Sequence, residues 1–216
     1  MITIYRACSK KSVGPPPIYK DEPSKTKLLK LCLESFLRTG PDEIIFLLDR
    51  VEDTSIFEKY GKVIDCGGFG NVGTFHKQIE LGKEMDKVFF CEDDYYWRPN
   101  TFKLLEKAVD YFDFISPYDH PSHYEPQFGN HFETKMIDGI VYRDSPSNTL
   151  TFATSKRVLQ DNWIKMMTFG MWDHPMFTSL KEDGFRIWCP TYSFATHMVD
   201  GLMAPNVDWP FLKTLT

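Results

Sequence analysis

The sequence predicts an α/β protein with a mainly parallel sheet and helices on both faces. Three observations predict it. Strand-length apolar runs alternate with helix-length stretches of helical periodicity through the first half of the chain. Acids and glycines fall directly behind those apolar runs, where an open α/β sheet gathers its ligands. The 216 residues, 42% hydrophobic and 15% aromatic, carry too much ring surface to leave in water, which excludes a disordered chain.

Residues 2–7 (ITIYRA) read as a short buried strand, and Pro15, Pro16 and Pro17 impose an extended loop behind it. Ser24 is placed to cap a helix in which Leu28, Leu29, Leu31, Leu33, Phe36 and Leu37 recur at helical spacing, and Gly40-Pro41 ends it. Residues 44–48 form a second buried strand, closing at Asp49. A short helix at about 54–60 stops at Gly61, and 62–66 makes a third strand. Gly67, Gly68 and Gly70 give a flexible turn before a helix over 72–83. Residues 87–91 are a fourth strand running straight into Glu92-Asp93-Asp94. Pro99 opens a helix to about 110, and 112–116 is a fifth strand. The pattern then loosens into a segment rich in His, Pro, Tyr and Asp, with a strand at 139–143. Helices follow at about 155–169 and 173–183, Gly184 closes the second, and 185–189 is a further strand. No internal repeat or linker divides the chain, so one domain is expected over 1–216.

Lys and Arg number 25 against 30 Asp and Glu, a net charge of −5, so no general field attracts nucleic acid. The start, MITIYRACSK, lacks the apolar core of a signal peptide, and the longest apolar run, 44–48, is far too short to span a membrane. Cysteines at 8, 32, 66, 91 and 189 are odd in number, widely spaced and without CxxC, and no Asn-x-Ser/Thr sequon occurs. Reduced, mostly buried thiols in a cytoplasmic compartment are expected.

The strongest local signal is VFFCEDDYYW. Three consecutive acids at the end of an apolar strand repel one another unless a divalent cation or hydrogen bonds neutralise them. A hard metal is commonly held by one or two carboxylates plus substrate phosphates. A solvated acidic turn is the alternative, and delivery of the acids to the ligand edge of the sheet favours the metal. His120, His123 and His131 lack the accompanying Cys or second pair of a zinc site and read as loop histidines near an acceptor. Tyr95, Tyr96, Trp97, Tyr118, Tyr124, Phe128, Trp172 and Trp209 are core rings in the first instance, with a sugar-stacking platform as their second use. Lys10, Lys11 and Lys20 flank the Pro-rich loop and read as solvated surface charges. Gly67-Gly68-Phe69-Gly70 lacks the spacing of a dinucleotide fingerprint.

The succession GGFGNVGTFHKQIELGKEMDKVFFCEDD resembles the nucleotide-binding half of GT-A glycosyltransferases, in which a helix start precedes a strand ending in a DxD-type acidic motif. GMWDHPMFTSLKEDGFRIWCP is similar to the segment that carries the catalytic acid in many of these enzymes, and THMVDG resembles the late His that completes their metal shell. More narrowly, shape and length are similar to the N-terminal glycosyltransferase domain of a multidomain protein of chlorella viruses.

The resemblance implies a GT-A type (Rossmann-like) fold with a nucleotide-binding half to about residue 94 and an acceptor-binding half behind it. It implies transfer of a hexosyl or deoxyhexosyl group from a UDP-sugar to a hydroxyl of a glycan or glycoprotein acceptor, with Mn²⁺ or Mg²⁺ as cofactor. Asp94 would ligate the metal, with Glu92 and His197 in its shell, and Glu92 or Asp93 would hold the ribose or a metal-bound water. Asp49 would meet the uracil, and Tyr5, Arg6 and Ala7 would line the base pocket with backbone and ring. Asn71 and Gly73 would sit near the nucleotide at a helix amino end. Lys77-Gln78 stands where the family often has an Arg. Asp173 would be the catalytic carboxylate. A nucleotidyltransferase of similar fold and a non-catalytic nucleotide- or carbohydrate-binding module are the alternatives. A place within a longer multidomain chain fits the same reading.

Overall fold

A computed structural model describes residues 1–8, 25–128 and 132–214. Its elements run β1 (Ile2–Cys8), α1 (Lys25–Leu37), β2 (Glu43–Asp49), α2 (Ser55–Glu58), β3 (Lys62–Asp65), α3 (Gly70–Gly82), β4 (Lys87–Glu92), β5 (Tyr95–Trp97), α4 (Phe102–Ala108) and β6 (Phe114–Ile115). Two 3₁₀ turns, Pro121–Tyr124 and Pro126–Phe128, lead to β7 (Thr134–Ile137), β8 (Ile140–Asp144) and β9 (Phe152–Ser155). Then come α5 (Lys156–Phe169), α6 (Asp173–Glu182), β10 (Ile187–Pro190), β11 (Ala195–His197) and α7 (Trp209–Thr214). Ser24, Pro15 to Pro17, Lys10, Lys11, Lys20 and His131 lie outside the described residues.

Nine strands form one sheet in the order β3-β2-β1-β4-β9-β6-β10-β8-β7. β3, β2, β1 and β4 are parallel neighbours, as are β6 and β10. β9 lies antiparallel between β4 and β6, and β8 lies antiparallel between β10 and β7. The expected mainly parallel α/β sheet is therefore present, with two strands opposing the rest.

The strand pleat sorts side chains into two cores, one per face. Within β4, Phe89 and Cys91 join Tyr5 of β1 and Phe36 of α1 on one face, while Val88 and Phe90 join Ile4 on the other with Phe75 and Ile79 of α3. Phe36 is the hub of the first core, its ring 5.3–6.4 Å from those of Tyr5, Phe89, Trp97 and Phe102. Gly61, in the turn between α2 and β3, has no room for a side chain: a Cβ would collide with the Ile44 carbonyl. No disulfide joins the five cysteines.

Two expected elements are shorter, and several others are unforeseen. The helix expected from Pro99 begins at Phe102, and the fifth strand shortens to two residues. The start of the helix expected at about 155 is preceded by an unforeseen strand, β9, after which the Ser155 hydroxyl caps α5 by accepting from Val158 N. Four residues, FATS, offer too short an alternation to announce a strand, and partners on both sides stabilise it instead. Strand β7, the small sheet of β5 and β11, and α7 are unforeseen too.

Candidate functional site

Parallel register brings the carboxyl ends of β1, β2 and β4 together. Cys8 lies opposite Asp49, and Arg6 opposite Glu92. The amino end of α3 closes the same edge, where Gly70, at φ 70°, donates its N–H to Asp49 Oδ2 at 3.1 Å. A cavity of about 180 Å³ opens there, lined by Arg6, Ala7, Cys8, Asp49, Gly70, Asn71, Thr74 and the three consecutive acids.

Each acid of that run faces its own basic partner. Glu92 Oε1 takes Arg6 Nη2 at 2.5 Å, and its Oε2 accepts from the Thr151 hydroxyl at 3.2 Å. Asp93 accepts from Cys8 N at 2.8 Å and from Lys25 Nζ at 2.7 Å. Asp94 Oδ2 lies 3.2 Å from His197 Nε2. Arg6 also donates to the Asn71 carbonyl and side-chain oxygens, so β1 delivers a guanidinium to the start of α3.

Burial pushes the Glu92 and Asp93 carboxyls above the usual carboxylate range, against the pull of Arg6 on one and Lys25 on the other. Asp94 goes the other way. Burial opposes its charge, but the charge and hydrogen bond of His197 hold its carboxyl well below that range. His197 is raised in turn, because Asp94 outweighs the burial that would lower it. β11 delivers this imidazole by pairing His197 with Tyr95, on whose ring it stacks at 4.9 Å. Met198 N donates to the Asp94 carbonyl at 2.7 Å, fixing the two segments together.

Asp173 opens α6, its Oδ1 accepting from His174 N at 2.7 Å. Its carboxyl is raised by burial, against the His174 hydrogen bond and the charges of His174, His197 and Arg6. It lines a second cavity of about 230 Å³ with Tyr118, His120, His123, Asn148 and His174. Its charge reaches the first cavity, since Glu92 feels it.

Seven of the residues singled out from sequence therefore share one cavity: Arg6, Ala7, Asp49, Asn71, Glu92, Asp93 and Asp94. His197 joins them through Asp94. Two do not. The Tyr5 ring is fully buried in the core, 5.5 Å from Phe36 and 5.7 Å from Phe46, because the pleat sends it to the face opposite Arg6, and Cys8 lines the cavity instead. Gly73 lies on the outer flank of α3 beside Phe69, His76, Lys77 and Glu80. Gln78 is a buried structural link that donates to the Ile4 and Cys91 carbonyls, and Lys77 pairs with Glu80.

The metal expectation divides by residue. Among the described residues no three His, Cys, Asp or Glu side chains converge as a cage. Glu92, expected in the shell, turns both oxygens to Arg6 and Thr151. Asp94 and His197 fit better. Asp94 Oδ1 is buried without a partner. The 3.2 Å between Asp94 Oδ2 and His197 Nε2 is close to the roughly 3 Å edge of a coordination shell with ligands at about 2.1 Å. One carboxylate and one imidazole suit a hard divalent ion whose other ligands are phosphate oxygens and water.

Sequence reasoning did not find Lys25, Cys8, Thr74 or Thr151. Lys25 and Thr151 reach the acids from 68 and 59 residues away in the chain, and no local pattern carries that distance.

No protein-family model and no curated protein matches the sequence. Solved structures share the fold at low identity. GalNAc-T7 with UDP, GalNAc and Mn²⁺ aligns over 94% of this chain and 45% of its own, with TM-score 0.60 and 10% identity. The chain thus spans less than half of that protein. The 4-diphosphocytidyl-2C-methyl-D-erythritol synthase of Anaerococcus prevotii aligns over 98% of this chain and 95% of its own, with TM-score 0.52 and 12% identity. A nucleotidyl transferase of Methanothermobacter thermautotroptrophicus covers 88% and 86%, with TM-score 0.51 and 10% identity. The chain shares its fold with these transferases.

Proposed function

We propose that the protein is a metal-dependent glycosyltransferase that moves a hexosyl or deoxyhexosyl unit from a UDP-sugar to a hydroxyl of a glycan or glycoprotein. The observation that carries this reading is the juxtaposition of two cavities, one lined by Asp49 and by Asp94 with His197 behind it, the other lined by Asp173. Asp49 Oδ1, buried and unpartnered, is an acceptor for a ring N–H of the base, and the start of α3 favours anionic groups. Asp94 and His197 would hold Mn²⁺ or Mg²⁺, which when bound supplies Lewis-acid stabilisation of the departing diphosphate. Asp173 takes the proton from the acceptor hydroxyl, and its raised carboxyl is a better base than an ordinary aspartate. Arg6 and Lys25, tied to Glu92 and Asp93, keep those acids from repelling the diphosphate. Residues to about 94 would carry the donor and those behind it the acceptor. Action in the cytoplasm, within a longer multidomain chain, belongs to the same reading. Among the described residues no helix is long and apolar enough to cross a membrane.

A nucleotidyltransferase is the second reading, favoured by the near-complete mutual coverage with the Anaerococcus synthase. One assay separates the two. Incubation with a panel of nucleotide sugars and Mn²⁺ is expected to release UDP, slowly by donor hydrolysis and faster with acceptor. Pyrophosphate from a nucleoside triphosphate, with no UDP, would establish the rival. Nucleotide binding without either product would make the chain a binding module.

A further inference from the structure

A histidine that serves a metal through one ring nitrogen is normally steered by a hydrogen bond at the other. His197 lacks that steering. Its Nε2 faces Asp94 Oδ2 at 3.2 Å, while Nδ1 is buried and meets no donor or acceptor among the described residues. The backbone is fixed, since His197 pairs with Tyr95 and Met198 N donates to the Asp94 carbonyl at 2.7 Å. Backbone ties leave the side-chain torsions open, and an imidazole free to turn about its last bond would not keep Nε2 on Asp94.

Aromatic rings supply what the hydrogen bond does not. The Tyr95 ring lies against the imidazole, 4.9 Å between centroids and 5° between planes. Tyr118 stands nearly upright to both, 5.6 Å from Tyr95 at 76° and 6.3 Å from His197 at 79°. Both tyrosines are themselves tied. Tyr95 is fully buried and its hydroxyl donates to Thr149 Oγ1 at 2.8 Å, while the Tyr118 hydroxyl donates to the Leu202 carbonyl. Stacking fixes the plane of the imidazole, and Asp94 selects which of its two flips is kept.

We infer that Tyr95 is the positioning residue of His197: its ring, anchored at Thr149, holds the imidazole plane so that Nε2 stays beside Asp94 before any metal arrives. Thr149 lines the second cavity, so the support of the Asp94–His197 pair stands on the wall of its neighbour. Positioning of this kind removes side-chain freedom ahead of binding, which spares the ligand that cost. That the pair then takes a metal rests on the glycosyltransferase reading, whereas the positioning does not.

Two readouts on the whole chain test this. In the metal-free protein, NMR of ring-labelled histidine should show one set of His197 signals, assigned by their absence from His197→Asn, with the carbon-bound protons displaced upfield by the Tyr95 ring current. Tyr95→Phe keeps the ring and should keep the displacement, whereas Tyr95→Leu should lose it. An undisplaced His197 in the wild type, or a displacement that survives in folded Tyr95→Leu, would overturn the inference. The second readout is Mn²⁺ affinity by electron paramagnetic resonance with UDP present. Tyr95→Leu should weaken it roughly 10-fold, the low end for losing a group that orients a metal-bound histidine, and Tyr95→Phe should restore most of that loss. Phe112→Leu removes a ring stacked on Trp188 at 4.6 Å in the same core, and should leave Mn²⁺ affinity unchanged whatever stability it costs. Equal affinity in wild type and Tyr95→Leu would count against the positioning role as decisively as the spectra. If Tyr95→Leu does not fold, the wild-type and Tyr95→Phe spectra still decide. A displaced His197 in a protein that takes up no Mn²⁺ beside UDP would sink the metal-dependent reading alone, and Mn²⁺ uptake with His197 undisplaced would sink this inference alone.

Discussion

Two cavities lie side by side and solve the problem of buried polarity in opposite ways. The first is crowded with charge, and every acid of the Glu92-Asp93-Asp94 run has a basic partner drawn from elsewhere in the fold: Arg6, Lys25 and His197. The second is nearly uncharged, with two neutral histidines and polar atoms left without partners. A site that neutralises itself is prepared for a ligand bringing both anionic groups and a counter-ion. In the second, the Asn148 amide and the Ser147 hydroxyl stay unsatisfied.

The largest expected break of this contrast is at Asp173, the carboxylate of the second cavity. Asp173→Asn removes a base worth roughly 10²- to 10⁴-fold in rate, so acceptor transfer should collapse by that factor while UDP binding by calorimetry is unchanged. Undiminished turnover would take Asp173 out of the chemistry. Next in size, Arg6→Met strips Glu92 of its cation and leaves a buried charge, at a cost of about 3–5 kcal/mol in denaturant unfolding. A loss under about 1 kcal/mol would mean that Glu92 does not depend on this pairing.

A pH scan sharpens the comparison because the two cavities have opposite signs. The ordinary imidazole value is about 6.5, so the unfolded chain takes up protons below it while folded His120 and His123 resist to about 4 and about 3. The stability they contribute is complete above pH 6.5 and is lost as pH falls through the folded values. Glu92 and Asp93, with raised carboxyls, gain stability as pH falls. Replacing both histidines with Asn should therefore flatten the fall in melting temperature from pH 6.5 towards 4, and an unchanged slope would refute their neutral burial. The smallest effect belongs to Lys77→Ala. Its pair with Glu80 is solvent-exposed on the outer flank of α3, so unfolding free energy should move by less than about 0.5 kcal/mol and UDP affinity not at all.

Legibility in the sequence followed the range of the interactions involved. β1, β2 and β4 announce themselves because each is a contiguous apolar run, and their polar ends mark the sheet edge with no knowledge of pairing. That Arg6 meets Glu92 follows only from the register of β1 on β4, which no local pattern states. Tyr5 was assigned to the cavity because it neighbours Arg6 in sequence, whereas in a strand neighbours point to opposite faces. The histidines at 120 and 123 were legible as loop residues, but their hydrogen bonds with Ser122 and Ser145 form only where the folded loop brings them into range.

Strand β9 also sets the order in which the site can be made. It wedges between β4 and β6, and Thr151, just ahead of it, bonds both the Glu92 backbone and its carboxylate across 59 residues. As the chain leaves the ribosome, the acidic run must wait for that strand, and then for His197, before its hydrogen bonds close. A fragment ending near residue 94 would expose the flank of β4 as an unpaired edge and would retain neither Thr151 nor His197. The carboxylate cavity, though written mostly in the first half of the chain, is finished by the second.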